Sequence, residues 1–258
     1  GIKPYGVWSG NTTSGVYELA ENAGTPTTPG TGEWGYNGTT VYVNIGAPSG
    51  GYSIAIIFQP NTNAVLMDCR GDDHLLFDAV GVGLDRGVVG GKILRCRGSG
   101  NLGSAVQVNQ ASGVTVDGVL GIGNREAVYM STVGGTCVVK GVTSDDLTYG
   151  VRGERVSVGA SLDFSNNLLI SSTAILVTTN NGTVTNDYNA HTGPLSGVSA
   201  GAHDITADAL LSASYRPMAG SPLLGAGTHL GYTRDLDKKQ RQNPPCIGAF
   251  DVATMISG

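Results

Sequence analysis

Four carboxylates in short polar segments that recur along the middle of the chain are candidates for acid–base chemistry: Asp73, Glu126, Asp145 and Asp146. Two carboxylates on either side of a glycosidic bond can act as general acid and general base, and separations of roughly 6.5 to 9.5 Å suit inversion. If the segments stack at strand spacing, Glu126 lies on the order of 5 Å from Asp145 and Asp146, and on the order of 10 Å from Asp73. The alternative is that these are ordinary, solvated turn residues.

Five polar or aromatic side chains accompany that row and are candidates for substrate binding: Gln107, Arg125, Tyr129, Arg152 and His74. An arginine can hold the carboxylate of an acidic sugar through two parallel hydrogen bonds. Tyr129 could stack on a sugar ring or simply cover a sheet. A lyase also needs a base that removes the proton beside the carboxylate, and His74 and Arg152 are the candidates for that role.

These candidate residues are positioned by short strands that recur about once every two dozen residues. Each strand ends in a polar residue followed by Cys, Gly or Asn. Alignment of the repeats yields one corner column with steps of 27, 22, 23 and 25 residues: Cys69, Cys96, Gly118, Gly141 and Asn166. Such a repeat, built from strands, predicts a solenoid of stacked coils. The alternation in residues 105–109 predicts that Val108 points inward.

Cys69 and Cys96 fall at the same phase of neighbouring repeats, so their strands are predicted to lie about 4.8 Å apart. That spacing allows a disulfide. The alternative is that both are small buried thiols in the interior. No cysteine or histidine spacing indicates a metal site, and no phosphate-binding loop or other cofactor motif is present.

The segments on either side of the repeats differ from them. In residues 1–52, the alternation on both sides of Asn37-Gly38 predicts a β-hairpin. We expect this segment to be an N-terminal antiparallel β cap and residues 53–190 to be the coils. Residues 191–258 lose the repeat and are rich in loops, so we expect them to form a C-terminal cap over exposed strand edges.

Composition narrows the possible partners. Among 258 residues there are 41 glycines, only 14% are charged, and the net charge is −5. No basic stripe suits a nucleic-acid backbone, and no apolar run approaches the roughly 20 residues that span a bilayer. Because the chain begins Gly1-Ile2-Lys3, without an initiator Met or a signal peptide, we expect a processed product or an excised part of a longer protein.

The C-terminal third carries a series of motifs in order: Asp187-Tyr188-Asn189, His203-Asp204-Ile205, Tyr215-Arg216-Pro217, Gly220-Ser221-Pro222, Asp235-Leu236-Asp237, Arg241 and Ile247-Gly248-Ala249-Phe250-Asp251. This series resembles the end of right-handed parallel β-helix proteins of the pectate-lyase-like superfamily, and the hairpin of residues 32–43 resembles one that precedes their coils. Lys238 and Phe250 depart from the usual Gly and Tyr. The resemblance implies an all-β, single-stranded right-handed parallel β-helix.

The resemblance implies less about function, because the family includes polysaccharide lyases, glycoside hydrolases, phage tailspikes and adhesins. We expect a carbohydrate-recognising module on a virion surface or a cell exterior, similar to a phage tailspike or fibre domain, with a cell-surface glycan as its partner. Such domains often trimerise, so a homotrimer is a further expectation. Two alternatives are a polysaccharide lyase or inverting hydrolase that uses the stacked carboxylates, and a purely structural virion decoration or spacer.

Overall fold

The computed structural model describes residues 63, 65–72, 80–84, 88–229 and 234–251, and it describes six earlier strands by their pairing alone. Those strands are β1 (Gly6–Asn11), β2 (Gly15–Glu18), β3 (Ala20–Glu21), β4 (Glu33–Tyr36), β5 (Val41–Asn44) and β6 (Ser53–Ile57). β1 pairs antiparallel with β2 and with β6. β4 pairs antiparallel with β5, from Glu33↔Asn44 to Tyr36↔Val41, which confirms the predicted hairpin.

Seventeen further strands form the repeating region and the residues that follow it. They are β7 (Val65–Met67), β8 (Arg70–Asp72), β9 (Val82–Leu84), β10 (Lys92–Leu94), β11 (Arg97–Ser99), β12 (Ser104–Val108), β13 (Ala111–Ser112), β14 (Thr115–Asp117), β15 (Leu120–Ile122), β16 (Glu126–Gly134), β17 (Thr136–Lys140), β18 (Thr143–Val156), β19 (Ser161–Ser165), β20 (Leu168–Asn180), β21 (Thr183–Asp187), β22 (Ala190–His191) and β23 (Leu195–Ser196).

These strands stack in parallel into a β-solenoid of about five turns, as the repeat predicts. One sheet has six strands in the order β21-β19-β17-β14-β10-β7. The second sheet has eleven strands, and its long strands β18 and β20 run beside pairs of shorter strands such as β15 and β16. Each backbone therefore hydrogen-bonds to the equivalent residues of the next coil, which satisfies its polar groups without antiparallel neighbours.

The core lies inside the coils because apolar residues alternate along each strand. In the six-stranded sheet, the central residues of four neighbouring strands are fully buried: Ile93, Val116, Val139 and Phe164. The facing strands contribute Val106, Val128, Val151 and Ile175, which are also fully buried. Val108 is 1% exposed, which confirms its predicted inward position.

Each coil turns from the first sheet to the second on two residues, and these form two adjacent columns rather than one. The first column is left-handed, with φ from 52° to 70°: Asp68, Arg95, Gly118, Gly141, Asn166 and Tyr188. The second column consists of Cys69, Cys96, Val119, Val142, Asn167 and Asn189. The single column predicted from the sequence is therefore wrong beyond Cys96. Its later members Gly118, Gly141 and Asn166 belong to the first column, one residue before the positions equivalent to Cys69 and Cys96. Asp68 and Arg95 adopt the left-handed conformation that Gly and Asn adopt in later coils, so small residue type does not identify the column.

The described part of the C-terminal segment lies along the side of the coils. Leu236, Ala249 and Phe250 cluster with Leu120 of β15. Arg97 Nη2 lies 2.9 Å from Asp237 Oδ1, and Lys238 Nζ lies 3.1 Å from Asp68 Oδ2 in the first described coil. The segment therefore runs back from the last coil toward the first. Among the residues that the structure describes, no helix is long and apolar enough to cross a membrane.

Candidate functional site

Glu126 is the most deeply buried of the three predicted catalytic carboxylates that the structure describes. It begins β16 and is 0% exposed. Its Oε1 accepts hydrogen bonds from Ser104 Oγ at 3.1 Å and from Arg125 Nη2 at 2.9 Å. Its Oε2 lies 3.7 Å from Arg152 Nη1. Two arginines therefore compensate the charge of this carboxylate, and solvent does not reach it.

Gln107, Tyr129 and Arg152 form the outward column that the sequence predicts. They occupy equivalent positions of three consecutive coils in β12, β16 and β18. The Arg152 guanidinium lies 4.8 Å from the centroid of the Tyr129 ring, and the Tyr129 hydroxyl donates a hydrogen bond to Glu154. Burial, together with that hydrogen bond to Glu154, raises the pKa of Tyr129 to about 12.

The polar groups of this column are thus engaged with neighbouring side chains. Gln107 Nε2 donates to Asn109 Oδ1 at 2.9 Å, and Arg152 also lies 5.7 Å from the Tyr149 ring centroid. The formal charges of Arg125 and Arg152 are balanced by those of Glu126 and Glu154. A ligand would have to displace these contacts before it could bind the arginines.

Asp146 lies inside the solenoid at the end of a ladder of amide side chains. It is 6% exposed. Its Oδ1 accepts from the Asn124 side chain at 2.7 Å and from the Asn124 backbone N–H at 2.8 Å, and its Oδ2 accepts from Ser144 Oγ at 2.7 Å. Burial raises the pKa of Asp146 to about 6. These contacts favour a role in holding adjacent coils together.

Asp145 faces the opposite way and contacts the C-terminal segment. The Tyr215 hydroxyl donates to Asp145 Oδ2 at 2.6 Å, and this bond raises the pKa of Tyr215 to about 12. Asp145 pairs with Ile122 in the neighbouring coil and not with another carboxylate. Its position is consistent with anchoring the loop around Tyr215.

The predicted vertical pairing of Glu126 with Asp145 and Asp146 is wrong. Glu126 pairs with Tyr149 at the same 23-residue offset that pairs Ile122 with Asp145, so Asp145 and Asp146 lie four and three residues earlier along β18 than the partner of Glu126. Glu126 and the two aspartates therefore occupy different columns. Asp73 and His74 lie outside the described residues, so their predicted roles stay predictions.

A groove at the last coils was not predicted. It has a volume of about 690 Å³ and lies among β19, β21, the end of β20 and residues 197–200. Its lining is largely polar: Asp163, Ser165, Asn180, Val184, Thr185, Asn186, Asp187, Tyr188, Gly197, Val198, Ser199, Ala200 and Thr228. Asn186 Nδ2 donates to Ser199 O at 3.0 Å, which ties β21 to the wall made by residues 197–200.

Two carboxylates define the electrostatics of the groove. Asp163 accepts from Ser165 Oγ at 2.6 Å and from Thr185 Oγ1 at 2.7 Å. Asp187 Oδ2 lies 2.9 Å from His203 Nδ1, and Asp187 Oδ1 accepts from the His203 backbone N–H at 2.8 Å. Burial alone would raise the pKa of Asp187, but the hydrogen bonds from His203 and from the Tyr188 backbone outweigh it and lower the pKa. The Asp187 carboxylate is therefore an ionised acceptor at neutral pH.

Tyr188 supplies the aromatic surface of the groove. Its ring stacks on His203, with centroids 4.3 Å apart and planes 8° from parallel. Its φ of 57° places it in the left-handed column where the preceding coils have Asn166, Gly141 and Gly118. A bulky residue is costly in this conformation. Tyr188 stands 22 residues after Asn166 of the predicted corner column, so one further step of that column would have reached it.

No family model and no curated protein matches this sequence. The fold itself establishes the class of the protein, which is a parallel β-solenoid.

Proposed function

We propose that this chain is a carbohydrate-binding β-solenoid that acts on a virion surface or cell exterior, and that its glycan binds in the last-coil groove. The observation that supports this best is the combination of carboxylates, hydroxyls and amides with one aromatic ring in an open cavity of sugar-binding size. Sugar hydroxyls donate to carboxylate and amide oxygens. The apolar face of a sugar packs on an aromatic ring, and Tyr188 provides such a ring.

The charge of the groove favours a neutral glycan. Asp163 and Asp187 both line it, and neither lysine nor arginine is among the described residues that line it. A uronic acid would bring a third carboxylate beside two others, and like charges at short range disfavour binding. Neutral hexoses meet acceptors that match their hydroxyl donors. We therefore expect binding to depend only weakly on salt, since ionic screening acts mainly on charged partners.

Binding without turnover ranks above polysaccharide cleavage because of where the predicted carboxylates lie. A general acid or base must come within hydrogen-bond reach of the substrate. Glu126 is fully buried and paired with two arginines, and Asp146 is bonded to Asn124 and Ser144. Neither is placed to exchange protons with a bound polysaccharide.

The broader assignment depends on the sequence resemblance. The motifs of the C-terminal segment support membership of the pectate-lyase-like superfamily and kinship with tailspikes and fibres. A homotrimer is part of that proposal, and light scattering on purified protein tests it. Self-association without affinity for any glycan would favour the structural alternative, a virion decoration or spacer.

The binding experiment compares the same substitution at two tyrosines. Calorimetric titration with a panel of neutral and acidic bacterial and plant oligosaccharides should show binding of a neutral member. Tyr188→Asn removes the groove ring but suits the left-handed backbone, so it should weaken binding at least about tenfold without loss of stability. Tyr129→Asn, in the Gln107–Tyr129–Arg152 column, should leave affinity unchanged.

Two results would contradict this proposal. Loss of binding in Tyr129→Asn but not in Tyr188→Asn would move the site to the outward column. Release of reducing ends or unsaturated products, abolished by Glu126→Gln, would establish an enzyme.

A further inference from the structure

Cys69 and Cys96 occupy the same position of consecutive coils. On one side of them Met67 pairs with Leu94, and on the other side Arg70 pairs with Arg97. The Arg97 N–H donates to Cys69 O at 2.9 Å. Neighbouring strands in such a ladder lie about 4.8 Å apart. Disulfide-bonded cysteines have Cα atoms about 4.4 to 6.8 Å apart, so the backbone needs no rearrangement to bridge them.

Both sulfur atoms lie in the same small region of the interior. Cys96 is 0% exposed, and its Sγ lies 3.4 Å from Leu94 O and 4.0 Å from Leu66 O of the preceding coil. Cys69 packs against the same core, and its Sγ lies 3.5 Å from Met67 O. The thiol of Cys96 therefore reaches toward the coil that carries Cys69.

The two thiols differ in reactivity. A hydrogen bond from Cys96 lowers the pKa of Cys69 to about 7, while the same contact and burial raise the pKa of Cys96. Cys69 is also partly exposed. Since the thiolate is the attacking species in thiol–disulfide exchange, Cys69 is the residue that reacts first.

We propose that Cys69 and Cys96, which are free thiols in this structure, form a disulfide between consecutive coils in an oxidising environment. The Cys69 thiolate attacks a low-molecular-weight disulfide RSSR, whose S–S bond breaks to release RS⁻. Cys96 then loses its proton to that RS⁻ and attacks Cys69 Sγ, releasing the second RS group as a thiolate that takes a proton from water. The two cysteines are together oxidised by two electrons, and RSSR accepts these electrons and is reduced to two RSH. The proposal does not depend on glycan binding.

The bridge would strengthen a part of the described solenoid where the paired strands are short. β7, β8, β10 and β11 have three residues each, whereas β18 and β20 have 14 and 13. Few ladder hydrogen bonds therefore join the first two described coils. A covalent bond between residues 27 positions apart restricts the unfolded chain, which stabilises the folded one.

The test uses purified full-length chain equilibrated with oxidised glutathione or with dithiothreitol. After alkylation of the remaining thiols, non-reducing peptide mass spectrometry should find a Cys69–Cys96 cross-linked peptide in the oxidised sample alone. The melting temperature should rise by about 5 to 10 °C and return on reduction. Cys96→Ser should abolish both effects. Cys137→Ser is the matched control, because Cys137 pairs with Leu162 in the next coil, and it should retain both effects.

Two outcomes overturn the proposal. One is a glutathione adduct that persists on Cys69 of the folded protein without a cross-link. The other is a cross-link that leaves the melting temperature unchanged, since the bridge would then not reinforce these coils.

Discussion

Asn124 donates twice to Asp146 Oδ1, from its side-chain amide at 2.7 Å and from its backbone N–H at 2.8 Å. Asn101 makes the same two bonds to Asn124 Oδ1, at 2.7 and 3.1 Å. Asn101 and Asn124 each donate a further bond to the carbonyl of a glycine, Gly71 or Gly98. A carboxylate has no such donor, so Asp146 ends the ladder.

Asp146→Asn should stabilise the protein at pH 7 by about 2 kcal/mol and should have no effect near pH 4. The pKa of Asp146 is about 6 in the folded protein, above its ordinary value of 3.8. The folded state therefore binds the proton more tightly, and this group adds stability that is full below pH 4 and is lost as pH rises through about 6. Urea unfolding of both proteins at pH 4 and pH 7 measures the difference. A variant that is less stable at pH 7 would show that the charge itself is needed.

Glu126→Gln should destabilise the protein by about 3 kcal/mol, because it leaves two partly buried arginines without their common carboxylate. Adding Arg152→Gln should restore part of that loss, since it removes one of the two arginines that lose the carboxylate. A double-mutant cycle from urea midpoints measures the coupling. Asp145→Asn is the control, because its partner Tyr215 lies near the surface and the cost should stay below about 1 kcal/mol. Additive effects of the Glu126 and Arg152 changes would contradict this interpretation.

The sequence predicts the coils well because their pattern is local. The alternation around Val108 and the spacing that aligns Gln107, Tyr129 and Arg152 both follow from strand geometry alone. The corner column was harder to predict, because its left-handed backbone conformation is adopted by Arg95 and Tyr188 as well as by Gly. Residue type therefore does not reveal that conformation.

The groove could not be predicted for a different reason. Its wall at residues 197–200 belongs to no repeat, and it meets β21 only through tertiary contacts such as the bond from Asn186 to Ser199. In the same way, Glu126 is paired with Arg125 and Arg152 through side-chain contacts, and the spacing of residues in the sequence carries no information on those contacts.

Gly98→Ala should cost about 3 kcal/mol, whereas Gly123→Ala should cost about 1 kcal/mol. A Cβ at Gly98 would lie 2.7 Å from Ala105 Cα, where the two arms of one coil make their closest approach. At Gly123 a Cβ would meet nothing within 4 Å, and only its φ of +67° resists substitution. Comparison of the two urea midpoints tests whether close packing or backbone conformation requires glycine. Equal costs would mean that the arms of the coil can separate.

Phe250→Ala should release the C-terminal segment from the coils before the coils themselves unfold. Phe250 packs with Leu120 and Leu236, and the Arg216 guanidinium lies 4.5 Å from its ring centroid. Loss of a buried phenylalanine costs about 3 to 5 kcal/mol. The segment is also joined to the coils by polar contacts, such as the bond from Ala249 N–H to Thr143 Oγ1 at 2.8 Å, and by Ile247, which packs in a cluster with Leu168. Phe250 is the largest buried side chain of its own cluster, so its loss should weaken this attachment more than it weakens the coils.

Limited proteolysis followed by mass spectrometry distinguishes local release from global unfolding. In the variant, cleavage should appear first near residues 234–251, while the peptides from residues 104–191 stay protected, because no strand of the ladder of β16, β18 and β20 comes from residues 234–251. Val108→Asp is the matched comparison, since it places a charge in the interior of the coils and should expose both regions together. Simultaneous cleavage of both regions in Phe250→Ala would show that the segment and the solenoid form one cooperative unit.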